Sequence, residues 1–485
     1  MQFKLGAFCR VGSDDTAKTS DSCPPGPHGT STYQPKEHAP TTSSNFLDSD
    51  FAWKKMLCEI CMPMFRGWSH VQRNFDLGYK IHHQDGLSIS RSATSECGIC
   101  GELLRRTLDM HGSLDIFTGP WIYRTAFNRA GSESLLGSLS LFHVRGARRC
   151  WERHHTRIGS LRAVQYLMVT CLAEHAECCV KDQPESYPTR LLEIDDAGLR
   201  LIDTETTPIS GPYAALSYCW GSNPSFLPLT ACNKDNVRAG IADDELPIAF
   251  REALKVVRYL DIQYIWIYSL CVIQSGPGST VDWTYESSRM AGVYSNSILC
   301  LALYRPANPD GSTFRGSVPR FMPPTEVDTR CTFDRNESTH HPSIVFSSSY
   351  YGDALYRQPQ GSRAWALQER LLSPCVLGFG CGELFWSCTD CQHAYESFPD
   401  GLTLQDNFFQ GLQLTSVPCT AGPKSLEALT TVWLRAVKEY TDRDLTSPES
   451  DKLMALSAVA SRLGQAMDDI CVWGHFNKSL IRSLY

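Results

Sequence analysis

Two cysteine pairs, one carboxylate inside an apolar stripe and a set of aromatic and hydroxyl groups could do chemistry in this chain. The cysteines are Cys58/Cys61 and Cys97/Cys100, each pair spaced Cys-x-x-Cys. Two such pairs can supply the four thiolates of a tetrahedral zinc site. About 35 residues separate the pairs, which is long for a zinc ribbon, and His82 or His83 could replace one thiolate. A third pair, Cys388/Cys391, lies far downstream, and Cys171, His175 and Cys178 or Cys179 share one helical stretch. Random placement of 21 cysteines in 485 residues gives about one such pair, and three occur. Plain buried thiols are the competing explanation.

The carboxylate is Glu286. Trp283, Glu286, Met290 and Val293 recur at helical spacing and share one face. A carboxylate in an apolar stripe is costly unless paired or hydrogen-bonded, so Glu286 has a partner or a task. It is either a structural group holding an arginine or a backbone amide, or a catalytic or ligand-binding acid with a raised pKa. The third set comprises Ser217, Tyr218, Cys219 and Trp220, with Tyr268, Ser269, Cys271 and Gln274. Trp220 and Tyr268 could stack a planar ring; a packed sheet edge is the plainer reading. Cys219 and Cys271 become nucleophiles only beside a histidine. Arg363, Trp365, Gln368, Glu369 and Arg370 read as a solvated, salt-bridged helix, or else as an anion- or partner-binding edge.

Positioning these groups falls to a patterned stretch from about residue 190 to 390. Arg190–Ile194 and Leu199–Ile202 read as a short hairpin and Tyr213–Tyr218 as a strand. After Pro247, Phe250, Ala253, Leu254, Val257 and Leu260 keep the spacing of one buried helix face. Tyr264–Ile273 is apolar on both faces, as a central parallel strand requires. Asp282 can cap a helix running to about Tyr294, and Ser297–Leu303 is another two-faced strand. Strand, helix, strand, helix, strand predicts a doubly wound α/β core. Residues 305–360 read as an insertion. The pattern resumes with a helix at Ala364–Leu372 and strands at Val376–Phe379 and Leu384–Trp386, followed by helices at Ser425–Tyr440 and Ser450–Ala466. Helices are also expected at Glu102–Leu108 and Leu161–Val180.

The chain's 485 residues leave room for about three domains. With 42% hydrophobic and 20% charged residues, most of it can bury a core. Its longest mostly apolar run, Tyr264–Ile273, is far short of the ~18 to 20 residues of a membrane span. The start, MQFKLGAFCRVGSDD, lacks a secretory signal's apolar stretch. A net charge of −7, a pI of about 6.1 and no basic block argue against a nucleic-acid surface.

Three stretches together resemble the fungal heterokaryon incompatibility (HET) domain family: YAALSYCWG at Tyr213–Gly221, the run from Leu246 to Ala302, and RAWALQERLLSPCVLGFGCGELFWSC at Arg363–Cys388. PTRLLEI before them and the VKEY…SPESDKLMALSAVA pattern after them extend the likeness, as does the cysteine-bearing lead-in. The resemblance implies a cytoplasmic fungal protein of non-self recognition that triggers growth arrest or cell death through self-association and partner signalling proteins. It implies a TIR-like doubly wound parallel sheet, in which Glu286 takes the place of a catalytic glutamate that cleaves NAD. The rivals are a non-catalytic signalling module and a degenerate inactive copy. The family's Trp-Ile-Asp reads Trp266-Ile267-Tyr268 here, and its Gln-Asp reads Gln274-Ser275, which leaves Glu286 as the crevice's main acid. The expected organisation is a disordered lead at 1–50, a Cys/His-containing region at 51–187, the HET domain at 188–395 and a helical C-terminal region at 396–485, possibly truncated.

Overall fold

The computed structural model describes residues 186–221, 226–314, 351–381, 383–388 and 426–479. It also describes shorter pieces at 58–59, 61, 79–83, 86–95, 97–101, 103–104, 121–124, 139–143, 160–174, 184, 325–334, 337–347, 394–395 and 414. All of them fall in one compact unit, residues 41–485. The lead at 1–50, most of the expected 102–108 helix, and His175, Cys178, Cys179 and Cys391 lie outside the described residues.

The core is a nine-stranded mixed sheet. Its strands in chain order are β1 (Arg190–Ile194), β2 (Gly198–Asp203), β3 (Tyr213–Ser217), β4 (Ile241–Ala242), β5 (Tyr264–Ile267), β6 (Leu299–Ala302), β7 (Cys375–Phe379), β8 (Leu384–Cys388) and β9 (Ala394–Tyr395). In space they run β9-β8-β7-β6-β3-β5-β1-β2-β4. Only β7, β6, β3 and β5 pair in parallel. The hairpins β1–β2 and β7–β8 close the two sides with antiparallel strands. The sheet is therefore mixed, with a parallel centre, rather than parallel throughout. Every described residue of β3, β5, β6 and β7 is buried, as covering on both faces demands.

The principal helices are α1 (Ser160–Glu174), α2 (Ile248–Tyr259), α3 (Ser279–Ser295), α4 (Ala364–Leu372), α5 (Leu426–Thr441) and α6 (Met454–Met467). Numbered by chain order, the parallel strands lie 2-1-3-4 across the sheet, a doubly wound order that reverses between β3 and β6. The β3–α2–β5 connection steps one way, and β5–α3–β6 steps back over β3. Right-handed crossovers then put α2 on one face and α3 and α4 on the other. The packing agrees: α1 lies against α2, while α6 packs on α3 and α4 and α5 packs on α4 and α6.

Several expectations need correction. Strand β5 stops at Ile267, and Tyr268–Cys271 turns into one helical turn closed by Val272 N–H on the Tyr268 carbonyl. Continuous apolarity to Ile273 hid this break, because the turn is buried as fully as the strand: Ser269, Leu270 and Cys271 are all in the core. Helix α3 begins at Ser279 after Gly278, whose φ of +83° is left-handed. Asp282 thus stands inside the first turn instead of capping it. The 305–360 stretch, expected as an insertion or excursion, carries two strands that its weak periodicity did not suggest. Thr325–Asp334 and Glu337–Ser347 form an antiparallel hairpin that joins Leu139–His143 in a separate three-stranded sheet. Pro342 inside the second strand, among Ser, Thr and His, masked its period of two. Finally, α4 is not solvated: Ala364 and every residue from Ala366 to Leu372 are buried.

Candidate functional site

Beyond the carboxyl ends of the parallel strands, where doubly wound sheets place their ligands, two buried carboxylates stand in separate clusters. The first belongs to Glu286. Helix α3 turns its Met290–Val293 side into the core, and Glu286 on that side is 3% exposed. Strand β1 runs antiparallel to β5, with Leu192 opposite Ile265, so Arg190 arrives at the carboxyl end of β5. Its Nη2 donates to Asp282 Oδ1 at 2.7 Å and to Glu286 Oε1 at 3.2 Å. Asp282 uses its other oxygen to accept from Ile273 N–H at 2.8 Å, tying α3 to the loop after β5. Arg190 Nε has no hydrogen-bond partner and is buried. One guanidinium thus bridges two carboxylates that would otherwise repel, one of them 3% exposed.

Trp220 and Tyr268 meet edge to face, with ring centroids 5.9 Å apart and planes 63° apart. Each also packs on a further ring, Trp220 on Phe226 and Tyr268 on Trp266. A planar ligand is not sandwiched between rings in that relation. Burial raises the Tyr268 hydroxyl above its ordinary range. Burial likewise pushes Cys219 up to about 11 and Cys271 up to about 12, so both are neutral thiols rather than nucleophiles. The hollow on this side, about 220 Å³, is lined by Ile273, Gln274, Ser279, Thr280 and Trp283 and contains no carboxylate. Gln274 turns its amide nitrogen onto the carbonyls of Tyr268 and Val272, which braces the turn.

The second cluster joins residues that the sequence offered in two separate sets, Ser217 and Cys219 in one and Arg363 and Glu369 in the other, with Gln360, which neither set contained. Ser217, the last residue of β3, donates to Glu369 Oε2 at 2.5 Å. Gln360 Nε2 donates to Ser217 Oγ at 2.7 Å, and its Oε1 accepts from Arg363 at 3.1 Å and from Cys219 Sγ at 3.3 Å. Arg363 also donates to the Tyr218 carbonyl. Burial raises the Glu369 carboxyl above its usual range, against the lowering influence of Arg363 and the Ser217 hydrogen bond. The cluster sits at the point where the strand order reverses, between β3 and β6. Its one visible signal was the alternation of charged and apolar residues on α4, which looked like an exposed face because the covering helices lie over 50 residues downstream. The last residue of the motif that ends β3 is equally constrained. Gly221 has φ +77°, and a Cβ there would come within 2.6 Å of Asn308 Cβ.

Arg370, the residue after Glu369 on α4, holds Glu439 of α5 at 2.9 Å, and Glu439 in turn pairs with Arg443 at 2.5 Å. Both guanidiniums face the Tyr356 ring, at 5.2 and 5.6 Å. Away from the sheet, Cys58, Cys61, Cys97 and Cys100 converge, with all four sulfurs within 4.8 Å of one another. His82 and His83 lie in a strand whose side chains fall outside the described residues, and Cys171 lies instead beside Cys375, 3.5 Å between sulfurs.

A doubly wound α/β domain with a mixed sheet and buried charge clusters at its strand ends is the class that these features define. Residues 213–369 match the family model described as heterokaryon incompatibility protein (HET), which places a HET domain in that part of the chain. No curated protein and no solved structure matches the chain. Among the described residues, no helix is long and apolar enough to cross a membrane.

Proposed function

We propose that this chain is a signalling component of the incompatibility response, a cytoplasmic module that restrains growth by assembling with copies of itself and with partner proteins, without catalysis. The observation that carries this reading is the state of Glu286: 3% exposed and ion-paired to a buried arginine that Asp282 shares. A carboxylate that holds ribose hydroxyls and a developing oxocarbenium charge must meet its substrate, and this one meets Arg190. The hollow lined by Ile273, Gln274, Ser279, Thr280 and Trp283, about 220 Å³, is also smaller than the ~300 to 1,000 Å³ of sites for drug-sized ligands.

A TIR-like reading, with NAD as substrate, keeps one observation in its favour. The parallel strands follow the 2-1-3-4 order, and Glu286 lies near the carboxyl end of β5, where such a site would be. Induced expression in a fungal host separates the two. Glu286→Gln keeps the shape and the hydrogen bond to Arg190, so a signalling module retains its growth arrest. Loss of arrest at an unchanged protein level would instead favour catalysis.

A further inference from the structure

The four cysteines outside the sheet carry a second site. Their sulfurs are separated by 3.7 Å for Cys58–Cys100, 3.5 Å for Cys61–Cys100 and 3.6 Å for Cys97–Cys61. These distances are far beyond the ~2.05 Å of a disulfide. In a regular tetrahedron with metal–sulfur bonds of ~2.3 Å, the sulfurs stand ~3.8 Å apart, the bond length times about 1.63. These three separations are within a few tenths of that edge, and all four sulfurs lie within 4.8 Å of one another. Iron–sulfur clusters interpose several atoms between their thiolates and would hold the sulfurs further apart.

The local backbone fits the same chemistry. Both pairs have the two-residue spacing that lets one tight turn aim two sulfurs at one point. Cys97 starts such a turn, closed by Gly101 N–H on the Cys97 carbonyl at 2.9 Å. Cys61, Cys97 and Cys100 are buried and Cys58 is half-buried, so four protein ligands fill the coordination sphere and leave no open position.

We propose that Cys58, Cys61, Cys97 and Cys100 bind one zinc ion in a closed, structural four-thiolate site. The ion clamps the segment at Cys58–Cys61 to the turn at Cys97–Cys100, and so closes a loop of about 35 residues that contains the Tyr79–His83 strand and the Gly86–Thr94 helix. It takes no part in the chemistry at the sheet.

The test is metal analysis of the purified full-length chain, beside the Cys97→Ser/Cys100→Ser double variant and the control Cys232→Ser, which alters an exposed thiol. The expected result is about one zinc per chain in the wild type and in the control, and loss of that zinc in the double variant. Where the double variant fails to fold, cobalt exchanged into the wild type provides the reading. A tetrahedral cobalt spectrum with the thiolate charge-transfer intensity of four sulfurs supports the site. No bound metal, iron in place of zinc, zinc retained by a folded double variant, or a cobalt spectrum with fewer than four thiolates overturns it.

Discussion

Arg190 is the residue on which the strand-end chemistry turns, because it is the buried cation that Asp282 and Glu286 share. Removing one partner of a buried ion pair leaves an uncompensated charge, so Arg190→Met is expected to cost ~3 to 5 kcal/mol, read from the urea unfolding midpoint. Glu286→Gln costs less, because Asp282 still supplies a charge. Two further carboxylates respond to pH with opposite signs. At Glu369 burial raises the folded pKa, so the native chain holds its proton more tightly than the unfolded chain. Stability then falls as pH rises from the ordinary carboxylate range through the raised value, and Glu369→Gln removes that fall. At Glu252 burial opposes charge, but hydrogen bonds from Ser312, Thr313 and Phe314 outweigh it and lower the folded pKa. Its contribution is present above the ordinary range and is lost as pH falls through the lowered value, so Glu252→Gln flattens the acid limb instead. Urea titrations of both variants across pH distinguish the two slopes. The cysteines sort by burial: Cys232 is exposed, whereas Cys219 and Cys271 are buried neutral thiols. Brief alkylation of the native chain followed by peptide mass analysis should label Cys232 well before either of the others.

Helix α4 shows where an element's character depends on what covers it. Glu439 sits between the buried guanidiniums of Arg370 and Arg443, so Glu439→Ala is expected to cost ~3 to 5 kcal/mol, again by urea unfolding. A chain cut after residue 395 would lose α5 and α6 and expose both Arg370 and the apolar side of α4. Such a fragment is expected to aggregate more than the full chain at equal concentration, which light scattering of the two would show. The elements themselves were legible in the sequence. The Phe250–Leu260 stripe gave α2, apolar runs gave β5 and β6, and α4 falls at Ala364–Leu372 as its pattern suggested. Local periodicity reports how one segment is built, and these segments are strongly periodic. It does not report a partner far along the chain. For that reason α4 read as a solvated helix, and although Ser217 and Glu369 stood out singly, their meeting through Gln360 across more than 140 positions did not. Glu286 was legible as a carboxylate that needed a partner, although Arg190, 96 residues away, could not be named.

At the scale of the whole molecule, the sheet explains why the charged groups gather where they do. Its parallel centre leaves polar strand ends on one side, and the 2-1-3-4 order opens a reversal between β3 and β6 that Gln360, Arg363 and Glu369 fill from α4 and the loop before it. The antiparallel strand β1 brings Arg190 to the neighbouring end. Among the described residues, both of these strand-end clusters are filled by the chain's own side chains. On the proposed reading such a module acts through its surface, and that is the central claim. Cellular NAD, measured together with growth after induced expression of the wild-type chain in a fungal host, tests it most directly. Growth arrest with NAD unchanged is the predicted result; a collapse of NAD ahead of the arrest would contradict it.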